Sequence, residues 1–150
     1  MNSPIRYFET PNQDSLIQPE DFVLPLKSMR VLVVDDDPDL LVLYEIALEG
    51  IDCECDTAKD GEDALALCSQ NDYDVILLDY QMPRLNGCET AERIRGSQRN
   101  AAIPIVGCTA DEELRDRCFA AGMNAFLVKP LSINKLVAVL SHFAPKTVSN

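Results

Sequence analysis

A chain of 150 residues with 47% hydrophobic side chains has room for one ordinary core and the balance of a soluble globular protein. Its 13 basic and 25 acidic residues, net charge -12, repel phosphate backbones and argue against nucleic-acid binding. No apolar run approaches the roughly 20 residues of a membrane helix, and the first 27 residues hold no secretory-type apolar stretch.

Residues 1–28 are broken by Pro4, Pro11, Pro19 and Pro25 and read as an arm or linker, with Phe22-Val23-Leu24 able to dock somewhere. A regular alternation begins at Arg30. Val31-Leu32-Val33-Val34 is a short apolar run of the kind buried on both faces of a sheet. Asp37-Pro38 supplies an N-cap and a proline at the first helical position. Leu40, Leu41, Tyr44, Ala47 and Leu48 follow at helical spacing until Gly50 stops the helix. Residues 51–57 alternate acids with apolar or small groups, which predicts a half-exposed edge strand whose charges block edge-to-edge pairing.

A second helix is predicted over 60–69, with Ala64, Leu65, Leu67 and Cys68 inward. Val75-Ile76-Leu77-Leu78 is the second doubly buried strand. A third helix spans 87–95, and further strands fall at 104–108 and 125–128 with a helix over 111–121 between them. Ile133, Leu136, Val137 and Leu140 mark the apolar stripe of a last helix, which carries the sole histidine, His142, in its final turn beside the helix dipole. Strand and helix thus alternate five times, an α/β pattern that implies parallel strands and right-handed crossovers. Neither common glycine-rich phosphate loop follows the first strand. The six cysteines, Cys53, Cys55, Cys68, Cys88, Cys108 and Cys118, stand singly, which suits reduced thiols in a cytoplasmic setting rather than a disulfide or zinc site.

Ligands in an open parallel sheet bind beyond the carboxyl ends of the strands. After the first apolar run come Asp35, Asp36 and Asp37, after the next Asp79, then Thr109, then Lys129. Singly, each has an ordinary explanation: Asp37 caps a helix, and a lone threonine or lysine in a loop faces solvent. Jointly they bring carboxylates, a hydroxyl and an ammonium to one edge. Crowded carboxylates call for a cation between them. Their oxygens suit magnesium, which takes one or two direct carboxylates and keeps several waters. Such an ion also neutralises charge during phosphoryl transfer, and an aspartate is able to accept a phosphoryl group as an acyl phosphate.

At these residues the sequence resembles the receiver domain of two-component response regulators. The resemblance rests on Leu32-Val33-Val34-Asp35-Asp36-Asp37-Pro38, Leu77-Leu78-Asp79-Tyr80-Gln81-Met82-Pro83, Asn86-Gly87, Thr109-Ala110 and Val128-Lys129-Pro130-Leu131, and it covers about residues 30 to 143. It implies a flavodoxin-like, doubly wound (βα)5 fold with a five-stranded parallel sheet of order 2-1-3-4-5. That divides the chain into an arm at 1–28, a receiver domain at 29–144 and a tail at 145–150. It also implies that Asp79 is the phosphoacceptor and a ligand of Mg2+ or Mn2+, with Asp36 a direct ligand, Asp35 acting through water and Gln81 contributing its backbone carbonyl. Thr109 and Lys129 would contact the phosphoryl oxygens, and the Lys129-Pro130 bond would be cis. Thr109 and Phe126 would be the switch pair, Phe126 turning inward; lacking a hydroxyl, it would report through packing. Gln81 and Asp111 would flank the path of attacking water and tune the phosphoryl lifetime.

The function implied is a signalling phosphoacceptor, an enzyme only toward its own phosphorylation and dephosphorylation. Its donor would be a phosphohistidine on a histidine kinase or histidine phosphotransfer protein. Its downstream protein partner would sit on the face built from helix 111–121, strand 125–128 and the last helix. Nucleic acid and membrane are not among its expected partners. Two alternatives stand beside it. A hydrolase with an aspartyl-phosphate intermediate needs a second acid two residues after the nucleophile to protonate the leaving group, and that position is Gln81. An interaction module with the fold but no phosphotransfer is the other. The stretch Arg117-Cys118-Phe119-Ala120-Ala121-Gly122-Met123 resembles the receivers of hybrid kinases, so both a stand-alone protein and a piece of a longer kinase remain open.

Overall fold

The computed structural model describes residues 7–11, 29–97 and 99–144. The suggested docking of Phe22-Val23-Leu24 and the tail at 145–150 lie outside them. Five strands, β1 (Arg30–Val34), β2 (Glu54–Ala58), β3 (Val75–Asp79), β4 (Ile105–Thr109) and β5 (Ala125–Val128), form one parallel sheet of order β2-β1-β3-β4-β5. Between and after them lie α1 (Pro38–Glu49), α2 (Gly61–Gln70), α3 (Gly87–Arg95), α4 (Arg115–Ala120) and α5 (Ile133–Phe143). This is the flavodoxin-like (βα)5 arrangement that the motifs predict.

The two-residue period of the strands splits the core into two layers. Val31, Val33, Val75, Leu77, Val106 and Leu127 pack with Tyr44 and Leu48 of α1 and Leu136, Val139 and Leu140 of α5. The intervening residues Leu32, Val34, Ile76, Leu78, Ile105 and Phe126 pack with Ala64 and Cys68 of α2, Ala91 and Ile94 of α3, and Cys118 of α4. Burial on both faces is why the central strands read as unbroken apolar runs. The ladder pairs Val34 with Leu78, Asp79 with Cys108, and Thr109 with Val128. The register therefore brings the carboxyl ends of β1, β3, β4 and β5 to one edge.

Caps define most helix starts: Asp37 does so as the sequence indicates, whereas Asp60 proves to be the cap rather than the first residue of its helix, and Asn86 is a cap not assigned from the sequence. Asp37 accepts the amide of Asp39 at 3.0 Å, Asp60 that of Asp63 at 2.7 Å, and Asn86 forms a reciprocal capping box with Glu89. Several boundaries differ. β2 begins at Glu54 rather than 51, because Ile51 and Asp52 make the turn out of α1; Asp52 takes the positive φ of 65°, whereas Gly50 stays right-handed. The acids of β2 are answered by Arg30, which lies 3.6 Å from Glu54 and 3.5 Å from Asp56, and by the Tyr73 hydroxyl, which donates to Asp56 at 2.7 Å. The helix predicted over 111–121 opens as a 3₁₀ turn, Glu112–Leu114, closed by the Leu114 amide on the Asp111 carbonyl, and becomes α-helical only from Arg115.

The apolar stripe of the last helix is corrected at its start: Ile133 stands at the first turn and is half exposed, while burial runs from Leu136 to Ser141. His142 stands in the final turn, as the sequence indicates, and packs through its ring. It lies against Phe8 (centroids 5.2 Å apart) and Phe143 (4.7 Å), and burial lowers its pKa, which favours the neutral form. The six cysteines are free thiols.

Leu127 is fully buried between sheet and α5. Leu127→Ala removes packed methyl groups and leaves a cavity, so it lowers stability by about 2–5 kcal/mol in urea unfolding with an unchanged denaturant slope.

Candidate functional site

The loops leaving the sheet edge are held by extensions of the strand ladders. The Asp35 amide donates to Ala58 O at 3.1 Å, the Tyr80 amide to Cys108 O at 3.2 Å, and the Lys129 amide to Thr109 O at 2.8 Å. The Lys129-Pro130 peptide bond is cis. Gly87 opens α3 directly against the loop after β3. Its amide donates to Tyr80 O at 2.8 Å, and a Cβ there would lie 2.6 Å from Asp79 O and 2.8 Å from Tyr80 Cα. A side chain larger than hydrogen does not fit.

These supports gather Asp35, Asp36 and Asp79, whose carboxylate oxygens lie within 4.8 Å of one another. Asp35 and Asp79 are buried and Asp36 is exposed. The Lys129 ammonium reaches across, 3.0 Å from Asp35 Oδ2 and 3.3 Å from Asp79 Oδ1. Asp35 Oδ1 accepts the Asp37 amide at 2.9 Å, so both oxygens of Asp35 are engaged. Among the described residues Asp36 and Asp79 Oδ2 carry no hydrogen bond. Gln81 is exposed beside Asp36, where both line an open depression with Tyr80, Met82, Pro83 and Asn86.

Burial raises the Asp79 pKa from 3.8 to about 6, helped by the charge of Asp35; Lys129 opposes the rise, and Asp36 adds a smaller push upward. For Lys129, burial is the largest single effect and disfavours the ammonium, yet Asp35 and Asp79 together outweigh it and hold the pKa above the ordinary lysine value. Beneath the cluster, burial pushes the Cys108 thiol up to about 12 and lifts the Tyr44 phenol well above its usual range. Three carboxylates face one ammonium. The surplus charge, the unengaged Asp36 and the oxygen-only donors fit a hard, hydrated divalent cation such as Mg2+ or Mn2+.

The remaining predicted residues lie around this centre. Thr109 ends β4 and is buried, but its hydroxyl accepts the Asp111 amide at 3.3 Å rather than bonding to Asp79. Asp111 is exposed and caps the 3₁₀ turn through the Glu113 amide at 3.0 Å. Phe126 is already inward, only 1% exposed, with its ring 6.4 Å from that of Phe119. One neighbour lies in the stretch that reads as an arm. Glu9 bridges to Phe126, and Phe8 is buried in the core. The signal available was the short run Tyr7-Phe8-Glu9-Thr10, two aromatics and a β-branched residue bounded by Pro11.

A family model described as "Response regulator receiver domain" matches residues 31–141. The chain is 38% identical over 120 residues to the sensor histidine kinase RcsC of Salmonella typhi, which covers 79% of this chain and 12% of that protein. It is 36% identical over 119 residues to the two-component response regulator ARR22 of Arabidopsis thaliana, covering 77% of this chain and 84% of that one. The chain thus spans about an eighth of the sensor kinase and most of the plant regulator. Among solved structures, the receiver domain of the sensor histidine kinase PA1611 from Pseudomonas aeruginosa superposes with a TM-score of 0.73 at 28% identity. The alignment covers 78% of this chain and 98% of that one, and that structure has a magnesium ion coordinated in the active site cleft.

Two outcomes follow from the geometry. A carboxyl whose pKa is raised on folding contributes stability that is fully present below 3.8 and lost as the pH rises through about 6. In urea unfolding from pH 4 to 7 without divalent cations, the wild type should lose on the order of 3 kcal/mol relative to Asp79→Asn, at about 1.4 kcal/mol per tenfold change in proton affinity. Millimolar magnesium should cancel most of that loss; parallel pH profiles would contradict it. Gly87→Ala should both lower the melting temperature and weaken magnesium binding by calorimetry, because its methyl group pushes on the backbone of Asp79 and Tyr80.

Proposed function

The chain belongs to the response regulator receiver domain family of two-component signalling, and from that premise we propose that residues 29–144 form a phosphoacceptor domain. Asp79 takes a phosphoryl group from a phosphohistidine on a histidine kinase or histidine phosphotransfer protein. The observation that carries this reading is the Lys129 ammonium shared by Asp35 and Asp79 while the Asp36 carboxylate beside them stays unengaged.

Asp36 and Asp79 would hold the cation directly, Asp35 through water because its oxygens are committed, and Gln81 through its carbonyl. When bound, a divalent cation neutralises the carboxylates and the transferring phosphoryl oxygens. Asp79 then attacks phosphorus as the ionised carboxylate. A new O–P bond forms as the donor's N–P bond breaks, and the bonding pair leaves with the imidazole nitrogen. Lys129, already in contact with the acceptor oxygen, turns one of its three donors to a phosphoryl oxygen. The Thr109 hydroxyl, which accepts the Asp111 amide, donates its own proton to another phosphoryl oxygen. Gln81 and Asp111, both exposed at the rim, set how readily water reaches the acyl phosphate.

The donor is a protein and needs a surface to hold it. Val42, Leu43 and Ile46 of α1 and Ile133 of α5 are large apolar side chains left exposed, and α1 starts immediately after the acidic pair. Burial of such groups supplies association energy without competing for the charged centre. The α4–β5–α5 face would carry the signal onward. No described helix is long and apolar enough to cross a membrane.

Incubation with magnesium and acetyl phosphate, followed by intact-mass measurement, should show one added phosphoryl group. Asp79→Asn should abolish it, and Lys129→Ala should slow its appearance on the order of 100-fold, the usual cost of removing one charge-stabilising donor. Unmodified wild type would favour a receiver-fold interaction module, and sustained turnover of other phosphate esters a hydrolase.

A further inference from the structure

β5 is an edge strand, and an open edge offers amide and carbonyl groups to any extended chain. Here that edge is taken by the chain's own residues. The Glu9 amide donates to Phe126 O at 2.9 Å and the Phe126 amide to Glu9 O at 2.8 Å, an antiparallel bridge on an otherwise parallel sheet. Farther along the strand, Lys135 of α5 caps Val128 O at 2.8 Å. Side chains secure the bridge on both faces. Phe8 is 2% exposed and packs with α5 against the His142 ring. On the opposite face the Glu9 carboxylate lies 3.1 Å from the Arg115 guanidinium of α4. The segment Tyr7–Thr10 thus spans α4, β5 and α5 at once, a self-supplied form of strand addition.

This contact is joined to the acidic centre through short links. Lys129 follows β5 directly and holds Asp35 and Asp79. Thr109 pairs with Val128 and carries the Asp111 amide on its hydroxyl. Asp111 in turn closes the 3₁₀ turn that delivers Arg115. Drawing the Thr109 hydroxyl and Lys129 toward a phosphoryl group on Asp79 disturbs both supports of the segment, the β5 backbone and the Arg115 ion pair.

We propose that Tyr7–Thr10 is an autoinhibitory strand: it occupies the α4–β5–α5 face in the unphosphorylated chain and is released from β5 when Asp79 is phosphorylated. The release rests on the phosphoacceptor reading; the docking does not. Because the segment is tethered to the domain, it competes at high effective concentration with any partner that reads this face. A partner would therefore meet an open edge only after phosphorylation, and by reciprocity a bound partner would favour the phosphorylated state.

Amide hydrogen exchange on the full chain, read at Phe126, tests both halves. Before phosphorylation the Phe126 amide should exchange at least tenfold more slowly in wild type than in Glu9→Pro, which lacks the Glu9 donor and carboxylate. Arg115→Ala, which leaves the strand backbone intact, should show a smaller loss of protection and guards against a misfolded proline variant. After treatment with magnesium and acetyl phosphate, with uptake verified by mass, the wild-type Phe126 amide should exchange as fast as in Glu9→Pro, and Asp79→Asn should stay protected. Equal exchange in wild type and both variants before treatment would overturn the docking. A phosphorylated chain that keeps its Phe126 protection would overturn the release. A chain that takes up no phosphoryl mass would sink the phosphoacceptor reading and the release with it, while the exchange before treatment still decides the docking.

Discussion

The contact on which this molecule turns is one ammonium shared by two buried carboxylates. Lys129 arrives from the end of β5, Asp35 from the end of β1 and Asp79 from the end of β3, so the interaction ties three non-consecutive stretches of chain at the edge of the sheet. Taking any of these groups out of water alone would be costly. Together they are tolerated, but not balanced: Asp79 still has its pKa lifted by burial and by Asp35. The site is poised to gain from added positive charge, which is the property a cation-assisted phosphoacceptor requires.

The rest of the structure serves that contact by making its geometry rigid. Both faces of the central strands are packed, Gly87 lets α3 start against the loop after β3, and capped helix ends fix where each loop departs. Arg95 adds a distant brace. Its guanidinium donates to Gly122 O at 3.0 and 2.8 Å, to Ile103 O at 2.6 Å and to Asn124 Oδ1 at 2.6 Å, anchoring the approaches to β4 and β5 from the end of α3. A cluster of like charges keeps its shape only when the backbone beneath it cannot relax.

The β5 side of the domain carries a covering segment as well as its packed core. Thr109 and Phe126 lie on two adjacent strands, Lys129 directly follows the second, and the covering segment Tyr7–Thr10 bonds to that strand. Phe126 is inward in this structure with its backbone fully engaged by Glu9. The backbone of Phe126 is thus tied to the covering segment, while its ring packs near Phe119.

The five strand–helix units, the doubly buried strands and the polar residue that ends each one are legible in the order of residues alone, because periodicity and capping are local consequences of side-chain chemistry. The same order carries the family motifs, whose resemblance implies which residues form the site. Other features were decided only by the tertiary structure. β2 starts at Glu54 because Ile51 and Asp52 form the turn after α1, the helix after Thr109 starts as a 3₁₀ turn, and the His142 ring lies against an aromatic ring 134 positions earlier in the chain. Residues 7–10 illustrate the limit most clearly: a run too short to show a period is held at the sheet edge by the single Glu9–Phe126 bridge, which forms only because β5 has no neighbouring strand on that side. Which carboxylate is engaged and which stays open was likewise set by where Lys129 lands, a matter of distances that no spacing along the chain encodes.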